Sequence, residues 1–134
     1  MRRALALAAA ILAVAPASAG AAPPWRSADT VRDALFDAQA QLILGSETSA
    51  ARQVERARRA YRGSLRANGS GPRPGSLRAG VRAASPAADV AVVRALREAE
   101  AAAQSGDAVR LAAARGAARA AVLRGSFAAT LAAV

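Results

Sequence analysis

Three aspartates on one side of the first predicted helix are the residues of this chain best suited to bind a metal ion. Asp29, Asp33 and Asp37 follow one another at intervals of four residues, which makes them neighbours on one helix face. Oxygen ligands of this kind suit hard divalent cations and ferric iron. A complete site would need further oxygens, and Glu98 or Glu100 are the concentrated source. The preferred interpretation is a solvated face, on which Asp29 compensates the helix dipole, so no metal site is predicted and the three aspartates remain candidates.

Arginines on the last predicted helix form the second candidate site. Arg115 and Arg119, with Arg110 and Arg124 nearby, predict a basic side that docks on lipid head groups or on an acidic partner. The opposite side is predicted to carry small residues, namely Ala113, Gly116, Ala117 and Ala120. The alternative is a packed helix whose arginines face water.

Most catalytic and cofactor chemistry is excluded by composition. The chain has no cysteine, no histidine and no lysine, so disulfides, thiolate chemistry, the usual zinc sites, haem ligation by histidine and histidine-dependent hydrolase triads are ruled out. No serine or threonine has a base beside it, and the carboxylates form no recognisable catalytic pair. We therefore predict that the chain is not an enzyme and that this segment holds no cofactor.

Positive charge dominates the chain and restricts its partners. The formal net charge is +10 at pH 7 and all 19 basic residues are arginine. Such charge favours nucleic acid in general, but aromatic residues make up only 3% of the chain and an export signal is predicted, which argues against that partner. An anionic membrane or an acidic protein surface fits better. Alternatively, the arginines serve only to solubilise alanine-rich helices.

The first 22 residues have the pattern of a cleaved signal peptide. Arg2 and Arg3 form a positive start, the apolar run 4–15 follows, and Pro16 ends it. That run is short of the ~20 residues of a membrane-spanning helix. Small residues then predict the cleavage region, at Ala19, Ala21 and Ala22. The chain is thus expected to be exported and to work outside the cytoplasm, in the periplasm or on the outer cell surface.

Helices are the elements that must position these residues. Forty-three residues are alanine, which favours helix but contributes little apolar area. After an extended leader at 23–26, a helix is predicted from Ser27 to Gly45, and a second from Ser46 completes a helical hairpin over residues 23–67. Glycines and prolines predict a flexible linker over 68–84.

A second hairpin is predicted over residues 85–134. Ser85 and Pro86 suit a helix start, and Gly106 with Asp107 suits a turn between two helices. The absence of a stop signal before Val134 predicts that this hairpin is truncated and that the chain is a fragment. The expected fold class is all-α, with two antiparallel hairpins that can join as an up-down four-helix bundle.

Apolar residues at helical spacing give the predicted buried stripes. In the first hairpin they are Val31, Leu35, Ala38, Leu42, Ala50, Val54, Ala57 and Tyr61. In the second they are Val92, Leu96, Ala99, Ala103, Val109, Ala113, Gly116, Ala120, Leu123, Phe127 and Leu131.

Two segments resemble the exported N-terminal region of long bacterial members of the high-affinity iron permease family. They are residues 31–45 (VRDALFDAQAQLILG) and 106–134 (GDAVRLAAARGAARAAVLRGSFAATLAAV). The family's Arg-Glu-x-x-Glu iron motif is not present, because the nearest match, Arg97-Glu98-Ala99-Glu100, has its second glutamate one position early. The resemblance therefore implies no iron-binding residue in this segment, although it implies iron for the full-length protein.

Two functional hypotheses follow. The first is an extracytoplasmic helical accessory domain of an iron permease, which contributes to iron transport and contacts the membrane or a downstream permease segment. The alternative is a secreted arginine-rich interaction module that binds an acidic protein or membrane surface.

Overall fold

A computed structural model describes the backbone of residues 24–63 and 76–133, and the side chains of residues 26–63 and 76–126. These residues form five helices and no strand, which confirms the all-α prediction. The helices are α1 (Pro24–Ile43), α2 (Glu47–Arg62), α3 (Leu77–Ala84), α4 (Pro86–Ser105) and α5 (Ala108–Ala133). The predicted signal peptide and its cleavage region at Ala19, Ala21 and Ala22 lie outside the described residues.

The first hairpin joins α1 and α2 through three residues. Gly45 reverses the chain with a φ of 83°, a conformation that glycine adopts without a steric penalty. The Ser46 hydroxyl accepts a hydrogen bond from the backbone N–H of Ser49 at 3.4 Å and so caps α2. The predicted helix end at Gly45 and the predicted start of the second helix at Ser46 are therefore confirmed. The predicted extended leader is wrong, because α1 already begins at Pro24, where a proline N–H is not needed.

The second hairpin joins α4 and α5. The Ser85 hydroxyl accepts a hydrogen bond from the N–H of Ala88 at 3.2 Å, and Pro86 follows as the first helical residue. Gly106 ends α4 in the left-handed region with a φ of 69°. Asp107 then caps α5 by accepting the N–H of Arg110 at 2.9 Å. The predicted helix start and turn are therefore confirmed.

Part of the predicted linker is helical. We expected residues 68–84 to be flexible, but Leu77–Ala84 form α3. The Ser76 hydroxyl caps this helix by accepting the N–H of Ala79 at 3.1 Å, and Leu77 and Val81 are both buried. The apolar pair on one helix face stabilises α3 by burial, which outweighs the helix penalty of Gly80. The remaining linker residues 68–75 lie outside the described residues.

Alanine makes up half of the core. Twelve of the 23 buried hydrophobic residues are alanine, and the largest fully buried side chains are Tyr61, Leu35, Leu111, Val54 and Val92. All of the predicted buried residues of α1, α2 and α4 are buried. Small side chains at a helix interface allow the helix axes to approach closely.

The predicted apolar stripe of α5 faces the wrong way. Val109 is 82% exposed and Leu123 is 57% exposed, and the buried hydrophobic residues in the described part of this helix are Leu111, Ala114, Ala118, Ala121 and Val122. Helix α5 is apolar on two sides, so helical spacing alone fits either of them. Packing against α3 and α4 decides which side is buried. The side chains of Phe127 and Leu131 lie outside the described residues.

Both hairpin turns lie at the same end of the bundle. A Cβ atom placed on Gly106 would lie 2.6 Å from Oε1 of Glu47, so the turn after α4 is beside the start of α2. Helix α1 runs toward this end and α5 runs away from it. The start of α1 and the end of α5 therefore lie together at the opposite end.

Two glycines of α5 give a matched test of this packing. A Cβ at Gly125 would lie 2.7 Å from Cγ1 of Val81, whereas one at Gly116 meets no other atom within 4 Å. We expect Gly116→Ala to raise the free energy of unfolding by about 0.5–1 kcal/mol through helix propensity. Gly125→Ala should lower it by about 1 kcal/mol, because overpacking against the stiff valine outweighs the propensity gain.

Urea unfolding of the two variants beside the parent chain measures this difference. A Gly125→Ala variant as stable as Gly116→Ala would contradict the close packing of α3 on α5.

Candidate functional site

The three aspartates of α1 form ion pairs with two different arginines. Nη1 of Arg32 lies 3.1 Å from Oδ1 of Asp29, and its Nε lies 3.0 Å from Oδ1 of Asp33. The hydrogen bond and charge of Asp33, with the charge of Asp29, raise the pKa of Arg32. Asp37 instead lies 3.5 Å from Nη2 of Arg56 on α2. The three carboxylates thus bind arginines on two sides of the helix.

Glu98 and Glu100, the candidates for further metal ligands, also form ion pairs with arginines. Oε2 of Glu98 lies 2.8 Å from Nη2 of Arg110, and Oε2 of Glu100 lies 3.0 Å from Nη1 of Arg58. Within residues 26–63 and 76–126, no three His, Cys, Asp or Glu side chains are grouped so that they could hold a metal ion. The structure therefore does not bring the predicted ligands together.

The predicted docking arginines do not share one face. Arg110 lies against α4, where it binds Glu98. Arg115 and Arg119 lie along a groove between α1 and α5, and Arg124 is exposed and is not part of the groove lining. Only Arg115 and Arg119 of the predicted row are brought together.

A groove lies between α1 and α5. It has a volume of about 410 Å³, within the range of small-molecule sites. The buried side chains of Val31, Leu35 and Val122 form its floor. Phe36 and Leu123 stand at its edges and are 58% and 57% exposed. The floor of the groove is therefore apolar, and two large apolar side chains at its edges remain in contact with water.

Phe36 and Arg115 form the contact that defines one end of the groove. The Cζ atom of Arg115 lies 5.3 Å from the centre of the Phe36 ring, a distance at which the guanidinium is attracted to the ring face. Phe36 is not among the residues that helical spacing places in the buried stripe of α1. Its spacing from Arg115 depends on the packing of two helices far apart in sequence, so no local pattern could reveal this pair.

A buried polar centre lies elsewhere and was not predicted. The Tyr61 hydroxyl donates to Oδ1 of Asp89 at 2.8 Å. Arg78 donates to the same carboxylate from Nε at 3.0 Å and from Nη2 at 3.4 Å. Asp89 is 5% exposed, and it precedes Val92 and Leu96 at helical spacing. That spacing was the available signal for an acid on the buried face of α4.

The environment of Tyr61 disfavours its ionisation. Burial raises the pKa of this hydroxyl above its ordinary value, and the hydrogen bond and negative charge of Asp89 raise it further. Arg78 opposes this effect to a smaller degree. A hydroxyl held in its protonated form by a carboxylate acts as a hydrogen-bond donor, so this centre joins α2, α3 and α4.

A second cavity lies beside this centre and is more polar. It has a volume of about 370 Å³ and is lined by Arg78, Asp89, Val90, Val93, Arg94, Arg97 and Glu98. Its two carboxylates already bind arginines or Tyr61. Nearby, burial and the charges of Arg58, Arg78 and Arg97 lower the pKa of Arg62. This cavity is thus part of a network of charged side chains at the surface.

Comparison with known families shows to which family the chain belongs. A family model described as the iron permease FTR1 N-terminal domain matches residues 21–134. The chain belongs to this iron permease family. The match includes both segments in which the sequence resembles such permeases, so that resemblance is confirmed. Comparison with curated proteins and with solved structures found no match.

Membership in the iron permease family sets the broad function. The family comprises transporters and not enzymes, and its activity is associated with a membrane. None of the helices in the described part of this iron permease domain is both long and apolar enough to cross a bilayer.

The buried hydrogen bond from Tyr61 to Asp89 predicts a specific loss of stability at high pH. An unfolded tyrosine ionises near pH 10, and Tyr61 ionises at higher pH in the folded domain. The stabilisation from its protonated form is complete below about pH 10 and is lost as pH rises toward the folded pKa. We expect Tyr61→Phe to lack this loss, and to cost about 1–2 kcal/mol at pH 7 because Asp89 loses a donor.

Urea unfolding between pH 8 and pH 12 measures both effects. Tyr61 is the only tyrosine of the chain, so tyrosinate absorbance reports its ionisation directly. Ionisation of the folded domain at the ordinary tyrosine pKa would contradict the buried hydrogen bond.

Proposed function

We propose that this chain is an extracytoplasmic helical accessory domain of an iron permease, and that it contributes to iron transport as a scaffold or docking surface. The observation that carries the proposal is the family match over residues 21–134. The signal-like pattern of residues 1–22, with small residues at Ala19, Ala21 and Ala22, supports export of the domain.

The side-chain chemistry favours docking over iron binding for the described residues. Asp29, Asp33 and Asp37 form ion pairs with arginines, and the positive charges of these neighbours repel a metal cation. Arg115 and Arg119 in contrast line an open groove. Iron is thus assigned to the full-length permease, and this domain supplies surfaces for a partner.

The geometry of the bundle supports a membrane-facing end. Helix α1 starts and α5 ends at the end opposite the two hairpin turns. In a permease whose membrane part follows its N-terminal domain, the end of α5 faces that membrane part. The partner is then the downstream permease segment or the membrane itself, with an anionic lipid or acidic protein surface as the chemistry that arginines recognise.

The secreted interaction module remains the second hypothesis from the sequence. It shares the export signal and the basic surface with the first hypothesis, and it differs in having no permease attached. The family match favours the permease domain over this module.

Iron uptake by the complete permease tests the accessory role. We expect in-frame removal of residues 24–133 to lower the initial rate of radioactive iron uptake severalfold per permease molecule in the membrane, because the domain contributes to transport. Quantifying the permease in the membrane fraction separates lost activity from lost protein. An unchanged uptake rate per molecule would contradict the proposal.

Export can be tested independently of iron. We expect residues 1–30 to direct a fused alkaline phosphatase, which is active only outside the cytoplasm, to its active state, because the apolar run 4–15 is recognised for translocation. Replacing Leu7 and Leu12 with arginine should abolish this activity, since charge in the apolar run prevents recognition. Equal activity of the arginine variant would show that residues 1–22 are not an export signal.

A further inference from the structure

The groove between α1 and α5 combines an apolar floor with cations that have no anionic partner. Within the described part of the chain, six arginines form ion pairs, namely Arg32, Arg56, Arg58, Arg59, Arg78 and Arg110. Arg115 and Arg119 lie at the groove, and no carboxylate there is within 4 Å of either. Their charges are therefore available to a ligand.

The carboxylates of the groove do not neutralise these arginines. Asp29 and Asp33 line the α1 side, but both bind Arg32. Because α1 and α5 are antiparallel, the register that sets Phe36 beside Arg115 also sets Arg32 level with Arg119, one helical turn along. The groove thus holds three guanidinium groups and two carboxylates, and a bound anion would neutralise the remaining positive charge.

The groove offers a ligand exposed apolar surface in addition to its positive charge. Phe36 and Leu123 are more than half exposed, while Val31, Leu35 and Val122 beneath them are buried. Covering exposed apolar surface with a ligand is favourable. A ligand that satisfies both features must carry an anionic group and an apolar body in one molecule.

The size of the groove favours a small molecule over a helix of another protein. Its α1 side extends from Ala28 to Phe36, which is about 12 Å of helix at 1.5 Å per residue. A docked amphipathic helix needs apolar anchors over several turns, and this groove is too short for that. Its volume of about 410 Å³ suits one small ligand.

We propose that the groove between α1 and α5 binds a small amphiphilic anion, a molecule with one carboxylate or phosphate head group and an apolar body. The head group binds Arg119 and Arg115, because a guanidinium donates two parallel hydrogen bonds to such oxygens. The body lies on Val31, Leu35 and Val122 and covers Phe36. This site does not depend on the proposed role in iron transport.

Dodecanoate below its micelle-forming concentration is a suitable probe, with calorimetry of the full chain as the measurement. We expect saturable binding with one molecule per chain. Dodecylammonium, which has the same tail and the opposite charge, should bind at least about tenfold more weakly, since it loses the charge-assisted hydrogen bonds. Acetate, which has the head group without the tail, should show no saturable binding.

Two variants and two matched controls locate the site. Arg119→Gln should weaken dodecanoate binding about tenfold or more. Gly116→Phe should abolish it by filling the groove, and a Cβ at Gly116 meets no other atom within 4 Å, so the core is left intact. Arg124→Gln and Ala117→Phe change exposed residues of the same helix that do not line the groove, and both should bind as the parent chain does.

Several results would overturn the proposal. Equal binding of dodecylammonium would show that the arginines do not select the head group. Unchanged binding by Gly116→Phe, with the fold verified by circular dichroism, would place the ligand elsewhere. Co-sedimentation with phosphatidylglycerol vesicles but no saturable binding of dodecanoate would replace the small-molecule site with a membrane-docking surface.

Discussion

The buried carboxylate of Asp89 is the interaction on which the arrangement of the helices depends. It accepts hydrogen bonds from Tyr61 of α2 and Arg78 of α3 while it lies on α4 itself, so one side chain joins both hairpins and the short helix between them. A charge removed from water is costly unless its partners are in place. Only the relative position that brings all three groups together is therefore acceptable, and this is a strong geometric restraint.

Such a restraint matters more here than in a core of large side chains. With twelve alanines among the 23 buried hydrophobic residues, neighbouring helices meet through surfaces that are nearly smooth, and sliding one helix along another changes little apolar contact. Bulky side chains that would fix the register by interdigitation are few. The Asp89 centre and the close contact of Gly125 with Val81 supply the specificity that the alanines do not.

A feature of this fold could be predicted from the sequence where local residues determine it, and could not where contacts across the bundle determine it. Gly45, Ser46, Ser85 and Gly106 mark helix ends through local rules of backbone conformation and capping, so the helix boundaries near them were predictable. The buried side of α5 was not, because this alanine-rich helix is apolar on two sides and only contacts with its neighbours determine which of them is buried. Helix α3 was obscured by the glycines and prolines before it, although Ser76, Leu77 and Val81 carry the local signal. The arginines of α5 were identified, but the separation of Arg110 and Arg124 from the pair in the groove depends on contacts across the bundle.

The same two-sided character of α5 explains why a groove exists at all. One apolar side of the helix is used in the core, and the other, with Leu123 at its edge, remains at the surface beside Phe36. Arginines in exposed ion pairs contribute little to stability. Arg115 and Arg119 differ because they stand against apolar side chains and lack carboxylate partners in the described part of the chain. Charge next to apolar surface is what distinguishes a recognition site from a solvated face, and in this domain the packing of α5 creates that combination.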